Sequence, residues 1–173
     1  ERAFTLLMAD ATAAVLMPPL VAALARARSR AKLRVEPLTT RDPRAQLERG
    51  AAEGAIGFFP DVARGLAAAG GQSEFGLDPL YQCDYVCVMR RRHPLARGET
   101  LSLDDYCHAQ HVRVSFAGRA HGFVDEALSR LGRQRRIMLT INHFSTAAQV
   151  VCGSDLLAVF PRNYLPASGV GSA

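Results

Sequence analysis

The stretch HVRVSFAGRAHGFVDEALSRLG, residues 111–132, constrains the fold more than any other part of the chain. Val112 and Val114 alternate with Arg113 and Ser115, the period of a half-buried strand, whereas Phe123, Ala127, Leu128 and Leu131 recur at helical spacing. A strand therefore gives way to a helix here. The joint between them, residues 116–122, holds two glycines, Arg119 and His121. It ends where a helix's unpaired N–H groups point outward, a place where an α/β protein can hold a small anion. The plainer reading is a connecting loop whose glycines only shape a turn.

The rest of the chain repeats this alternation. Residues 4–9 read as a first strand closed by the capping residues Asp10 and Thr12, and Leu16, Leu20, Leu24 and Ala27 then share one helical face. Pro18 and Pro19 are expected to bend or delay that helix. Residues 33–37 form a second strand ending at Thr39 and Thr40. Asp42-Pro43 starts a short helix that Gly50 stops, and residues 55–59 form a third strand, giving β-α-β-α-β with a parallel sheet. Residues 60–76 read as a loose connection with one helical turn near 62–69.

Residues 77–81 are expected to cross out of the first lobe as a strand, and 85–89 to open a second lobe. Ser102 and Asp105 resemble a capping box before a short helix. Beyond residue 132 come a strand at 137–141, a helix capped by Ser145 and stopped by Gly153, and a strand at 156–160. Residues 1–77 are thus read as lobe 1, 78–165 as lobe 2 and 166–173 as a loose tail.

Composition excludes several classes. Hydrophobic residues make up 49%, which is globular rather than disordered, and no run reaches the roughly 18 apolar residues of a membrane span. A soluble chain is expected, and one cut from something longer, since it opens at Glu1 with no leader. The net charge of +5 invites a nucleic-acid reading. Its clusters, residues 90–92 and 133–136, lack interleaved aromatics and read as solvated termini. Cys83, Cys87, Cys107 and Cys152 form no CxxC pair, so buried reduced thiols are expected and neither a metal nor a cofactor is implied.

Several phrases together resemble the effector-binding domain of LysR-type transcriptional regulators. They are the first strand with Ala11-Thr12 and Pro18-Pro19-Leu20, then Leu47-Glu-Arg-Gly50 leading to Ala55-Ile-Gly57, then Tyr85-Val-Cys-Val88 running to His93-Pro-Leu95. The densest match is His111-Val-Arg-Val-Ser115 with Gly118, Gly122, Val124-Asp125, Leu128, Gly132 and Arg135-Arg136, in the manner of regulators of nodulation and aromatic catabolism. One departure is Glu53-Gly54 where the family has Asp followed by an apolar residue. The resemblance implies an α/β fold of the type II periplasmic-binding-protein kind, two Rossmann-like lobes joined by crossing strands, with a C-terminal return to lobe 1 that is not in this chain. It implies a small organic or aromatic acid bound between the lobes, a homodimer or tetramer, no membrane contact, and DNA reached only through an N-terminal winged helix-turn-helix outside this chain. A cytoplasmic, non-enzymatic sensor is expected, with a periplasmic solute-binding protein as the alternative.

Strand tips and the helix starts after them should line the site. These are Asp10, Ala11, Thr12 and Thr39 with Phe58 and Phe59, then Gln82 at the crossing, then Ser115, Phe116, Arg119, His121 and Gly122, and finally His143 and Phe144. Thr12 and Ser115 offer hydroxyls to a carboxylate, Arg119 a bidentate fork, and the phenylalanines an apolar cover. Against this, Thr12 can serve only as a cap, the phenylalanines as core, and the histidines as loop residues. Ser115 with a histidine makes no hydrolase, because no Gly-x-Ser-x-Gly elbow is present.

Overall fold

The computed structural model describes residues 2–70, 73–98, 100–116 and 122–168, and the chain divides into two compact units at Gln82 and Cys83. The first unit is built on a parallel sheet of β1 (Ala3–Met8), β2 (Lys32–Pro37) and β3 (Gly54–Ile56), in the order β2-β1-β3. Met8 lies opposite Pro37 on one side and Ile56 on the other, so the three strands end level. Helix α1 (Asp10–Arg26) connects β1 to β2, and α2 (Arg44–Glu48) leads to β3. Leu7, Leu38, Ala52, Phe59 and Val62 form the core of this unit, with Leu47, Ala55 and Leu66 packed against it.

Glu53 explains the departure from the family pattern at the start of β3. Its carboxylate accepts the Thr5 N–H at 2.5 Å while its own N–H donates to the Thr5 carbonyl at 3.0 Å, so the side chain extends the ladder by one bond where β3 has not yet begun.

Several sequence expectations are corrected in this unit. Pro18 and Pro19 lie inside an uninterrupted α1; they sit on its exposed face, where water can meet the carbonyls of Ala14 and Val15 that lose their N–H partners. The helix begins at Asp10 after Ala9, with no side-chain cap, so neither Asp10 nor Thr12 is the capping residue. Residues expected to be a loose connection form a nine-residue helix, α3 (Pro60–Ala68), begun by proline at its first position. Phe58 and Phe59 fall beyond β3 instead of within it. Among the described residues 77–81 pair with no strand: Asp78-Pro79 interrupts the run, and Leu77, Leu80 and Tyr81 remain exposed.

The second unit carries two strand pairs. β4 (Tyr85–Val88) runs antiparallel to β7 (Ala158–Pro161), and β5 (Gln110–Val114) runs parallel to β6 (Arg136–Ile141). Leu157, just before β7, joins them: its N–H donates to the Gln110 carbonyl and its own carbonyl accepts from the Val112 N–H, both at 2.9 Å. A bulge between His111 and Val112 skips Met138 of β6, so the two neighbours on β5 are both buried and Met138 is turned out.

Helices α4 (Leu103–His108), α5 (Phe123–Arg130) and α6 (Phe144–Cys152) connect these strands. The expected cap at Ser102 holds, since its Oγ accepts the Asp105 N–H at 3.0 Å. The expected cap at Ser145 does not, because α6 already begins at Phe144, and residues expected to be a loose tail include a last helical turn, α7 (Leu165–Ser168). Of the four free cysteines, Cys107 is buried as expected, Cys83 half-buried, and Cys87 and Cys152 are exposed. Buried His93 accepts the Leu95 N–H at Nδ1, so its Nε2–H donates to the Asp155 carbonyl at 3.1 Å and ties the loop after β4 to the turn before β7.

Four of the described helices end in the same geometry, with the second residue past the helix in the left-handed region: Gly50 at φ 66°, Gly70 at φ 59°, Gly132 at φ 65° and Arg28 at φ 50°. After α1 the Ser29 N–H returns to the Leu24 carbonyl and the Arg28 N–H to that of Ala25, the bond pair of a Schellman close. An L side chain pays about 1 kcal/mol in that conformation. Arg28→Gly is therefore expected to raise the unfolding free energy by about 0.5–1 kcal/mol in urea denaturation, whereas Gly50→Ala lowers it by a similar, roughly 1 kcal/mol, amount. A loss of stability in Arg28→Gly would count against this account of the α1 terminus.

Candidate functional site

In the first unit the level ends of β2, β1 and β3 bring three loops to one edge of the sheet, and they carry Asp10 to Thr12, Thr39 and Phe58. The chain leaves β1 toward β2 on one side and later returns to β3 on the other, so this edge has the topological switch at which open α/β sheets take ligands. Helix α1 starts here, and Ala9 offers its first turn no side-chain acceptor. Thr12 is half-buried in that turn, Thr39 is exposed, and Ala11 is packed into the core at 2% exposure. Phe58 is 69% exposed and free to cover an apolar ligand, while Phe59 is 9% exposed and belongs to the core cluster. Gln82 is exposed at the end of this unit.

In the second unit β5 and β6 end together, Val114 opposite Ile141, and the Ser115 N–H continues the ladder to the Ile141 carbonyl at 2.8 Å. Ser115, Phe116 and Gly122 are half-buried at this edge, and His143 is exposed. Phe144 is buried, its ring 5.8 Å from Phe116, 5.7 Å from Phe160 and 5.9 Å from Tyr164, so it holds an aromatic core together and only Phe116 of that cluster borders the edge. Arg119 and His121 lie outside the described residues.

At the start of α5, Asp125, three residues in, turns back and accepts the Gly122 N–H at 2.8 Å, and the Glu126 N–H makes the first regular helix bond, to the Gly122 carbonyl at 2.9 Å; Gly122 itself offers the first turn no side-chain acceptor. The carboxylate of Asp125 is itself held by Arg135, with Nε at 2.7 Å and a second nitrogen at 3.2 Å, and Arg113 stands 3.9 Å away. Arg135 also donates to the Tyr106 hydroxyl at 3.2 Å, and Arg113 to Thr140 Oγ1 at 3.0 Å.

The basic cluster at 133–136 is thus not solvated throughout, since the Arg135 side chain is 4% exposed. Sequence reasoning missed this network. Asp125 and Arg135 are ten positions apart on different elements, and Arg113 sits at the outward position of an alternating strand, so no local spacing announces the trio.

Burial alone would raise the Asp125 carboxyl. The hydrogen bonds from Arg135 and Gly122 and the charges of Arg135 and Arg113 outweigh it and hold the group below its ordinary value. His111, fully buried beneath, donates Nε2–H to the Tyr106 carbonyl at 2.7 Å; burial holds this imidazole below its usual value, keeping it neutral. Among the described residues no group of His, Cys, Asp and Glu is arranged to hold a metal, and no helix is long and apolar enough to cross a membrane.

Strand tips and helix starts gather at one edge of each unit, the place where open α/β sheets take ligands. The family model described as LysR substrate binding domain matches residues 1–170, and the chain belongs to that family. It is 34% identical over 161 residues to the HTH-type transcriptional activator NahR of Pseudomonas putida, covering 93% of this chain and 50% of NahR. The chain therefore spans about half the length of this curated relative. Among solved structures, a probable transcriptional regulator, PA0477 from Pseudomonas aeruginosa, superposes with a TM-score of 0.80 at 24% identity, over 96% of this chain and 53% of that one. The effector binding domain of QuiR in complex with shikimate superposes at 0.69 and 14% identity, over 92% and 73%. The fold is that of LysR effector-binding domains.

Removing the Asp125 carboxylate leaves Arg135 buried without its counter-charge, so Asp125→Ala is expected to cost about 3–5 kcal/mol of stability in chemical denaturation. Because the folded carboxyl lies below its unfolded value, the pair's contribution is complete above the ordinary carboxylate value of 3.8 and is lost as pH falls through the lower folded value. Asp125→Asn should accordingly flatten the acid limb of the stability profile; an unchanged limb would show that the pair contributes nothing.

Proposed function

We propose that this chain is the effector-sensing part of a LysR-type DNA-binding transcriptional regulator, taking a small organic acid, aromatic or phenolic, at the strand ends of its units. The observation that carries the reading is the α1 start: a seventeen-residue helix opens at the switch edge of the sheet, with no side-chain cap from Ala9 and with Thr12 in its first turn. Such an end favours a carboxylate through its N–H groups and the helix dipole. Thr12 adds a hydroxyl and Phe58 an apolar face, and Ser115 and Phe116 offer the same pair of chemistries in the second unit, with Arg119 as a charged partner. QuiR with shikimate supports the ligand class, and NahR, named as a transcriptional activator, supports the role.

In this reading the whole protein is a cytoplasmic dimer or tetramer that reaches DNA through a winged helix-turn-helix, and the chain catalyses nothing. Ligand binding favours one arrangement of the regulator over another by its difference in affinity for the two. A periplasmic solute-binding protein is the second reading on architecture alone. The segment encoded upstream of Glu1 separates them, a winged helix-turn-helix supporting the regulator and a secretion leader the transport receptor.

Calorimetric titration of the domain with benzoates, salicylate-like acids and flavonoids tests the site. At least one acid should bind, and Thr12→Ala, Ser115→Ala or Arg119→Ala should each weaken it about tenfold or more, as expected for loss of a hydrogen bond to a charged group. Unchanged affinity in all three variants removes the proposed anion site.

A further inference from the structure

Of the four described helices that close on a left-handed residue, α2, α3 and α5 use Gly50, Gly70 and Gly132, and α1 uses Arg28 at φ 50°. Glycine makes that turn without strain and an L residue does not, so the turn itself gives no reason for a side chain there. A strained backbone that persists points to work done by the side chain it carries.

That side chain is a guanidinium with basic neighbours. Arg26, Arg28 and Arg30 are all exposed, and among the described residues none of the three is in an ion pair. Residues 11–35 contain no Asp or Glu, and residues 25–32 read Ala-Arg-Ala-Arg-Ser-Arg-Ala-Lys. The chain folds back over the helix end here. The Arg28 N–H returns to the Ala25 carbonyl at 3.1 Å, the Ser29 N–H to that of Leu24 at 3.0 Å, and Ser29 Oγ accepts the Ala31 N–H at 3.2 Å. The three arginines are thereby gathered around one held turn. A helix C-terminus attracts cations, which accounts for Arg26 in the last turn, but a cation at an unstrained position would serve the helix equally.

This turn lies at the opposite edge of the first unit from the candidate ligand site. Helix α1 starts after Met8, at the strand ends, and its far end leads to Lys32, whose N–H donates to the Arg2 carbonyl at 2.9 Å beside the start of β1. The turn is thus next to where the chain enters the unit, and in the regulator reading the DNA-binding segment lies before that entry. Guanidinium forks match phosphate oxygens bidentately. Between the arginines stand only alanine and serine, small enough for a phosphate strand to come close. Residues 25–32 hold no aromatic ring to stack on a base and no large apolar side chain to anchor a protein partner.

We propose that the turn bearing Arg26, Arg28 and Arg30 is a contact surface for the phosphates of duplex DNA, indifferent to base sequence, and that Arg28 occupies its strained place for that contact. The inference takes its partner from the regulator reading and adds to it a second DNA contact, made by the sensing part itself.

The test is fluorescence anisotropy of a labelled duplex of about 20 base pairs and arbitrary sequence, titrated with the full chain over about 20–150 mM salt. Each phosphate contact adds about −0.9 to the slope of log K against log salt, so the wild type should show a slope of about −2.7 or steeper. Arg28→Gly should make it shallower by about 0.9 while the same variant unfolds at higher urea. Affinity and stability then move in opposite directions, which a purely structural role for Arg28 does not produce. Arg28→Lys should keep the slope, and Arg26→Gln with Arg30→Gln should flatten it by about 1.8. Arg91→Gln with Arg92→Gln, in the other exposed basic run, should leave it unchanged.

No binding of the duplex at the lowest salt, or an unchanged slope in Arg28→Gly, overturns the proposal. So does an equal flattening by the Arg91 and Arg92 variant, which would reveal diffuse attraction, or poly-L-glutamate binding as tightly as the duplex, which would assign the surface to an acidic protein. Each of these outcomes leaves the effector-sensing reading standing, because the acids of the calorimetric panel bind at the other edge. Failure of that panel overturns the effector reading and leaves the duplex titration to be judged by its own slopes.

Discussion

Two backbone hydrogen bonds through Leu157 make the second unit possible. A pair of strands is marginal alone in water, and this unit consists of two such pairs until Leu157 exchanges bonds with Gln110 and Val112. The join places His111, Val112, Leu157 and Ala158 side by side with essentially no exposure. It also sets where β5 can end: with its start pinned to β7 and its length matched to β6, Ser115 and Phe116 emerge at the edge beside the start of α6. The bulge at Met138 belongs to the same constraint, because it allows two consecutive β5 residues to face inward while the outer end of the strand keeps its register.

The two helix starts next to candidate ligand edges share one feature and differ in another. Neither Ala9 before α1 nor Gly122 before α5 caps its helix with a side chain, but α5 carries a buried Asp125 in its first turn that accepts the Gly122 N–H. A buried carboxylate at the third position of α5 is tolerable only because Arg135 reaches it from just before β6 and Arg113 from β5, so the same ion pair ties the helix start to both strands.

Much of the strand-helix order was legible. Short apolar runs, the glycine stops at Gly50 and Gly153 and the cap at Ser102 act through neighbours a few positions away, and each appears where the pattern places it. The misreadings are cases where distant neighbours overrule a local rule. Pro18 and Pro19 are tolerated on the exposed face of α1, where the helix runs on without a break. Phe59 and Phe144 looked like ligand cover beside a strand tip and instead fill cores, because Leu38 and Val62 close over the one and Phe160 and Tyr164 over the other. Residues 77–81 have a strand's composition but pair with no strand among the described residues.

What the sequence determined by itself was the α/β class, the family, and the strand-to-helix joints at the edge of each sheet, since periodicity, turns and joints are encoded over a few residues. Only the tertiary structure decided which of the residues at that edge are free to act. Whether Asp125 serves a ligand or a helix end, and whether Arg135 is solvated or buried, depends on elements ten or more positions apart meeting in a poorly hydrated interior, where an unpaired charge is too costly to leave and the nearest counter-charge takes it.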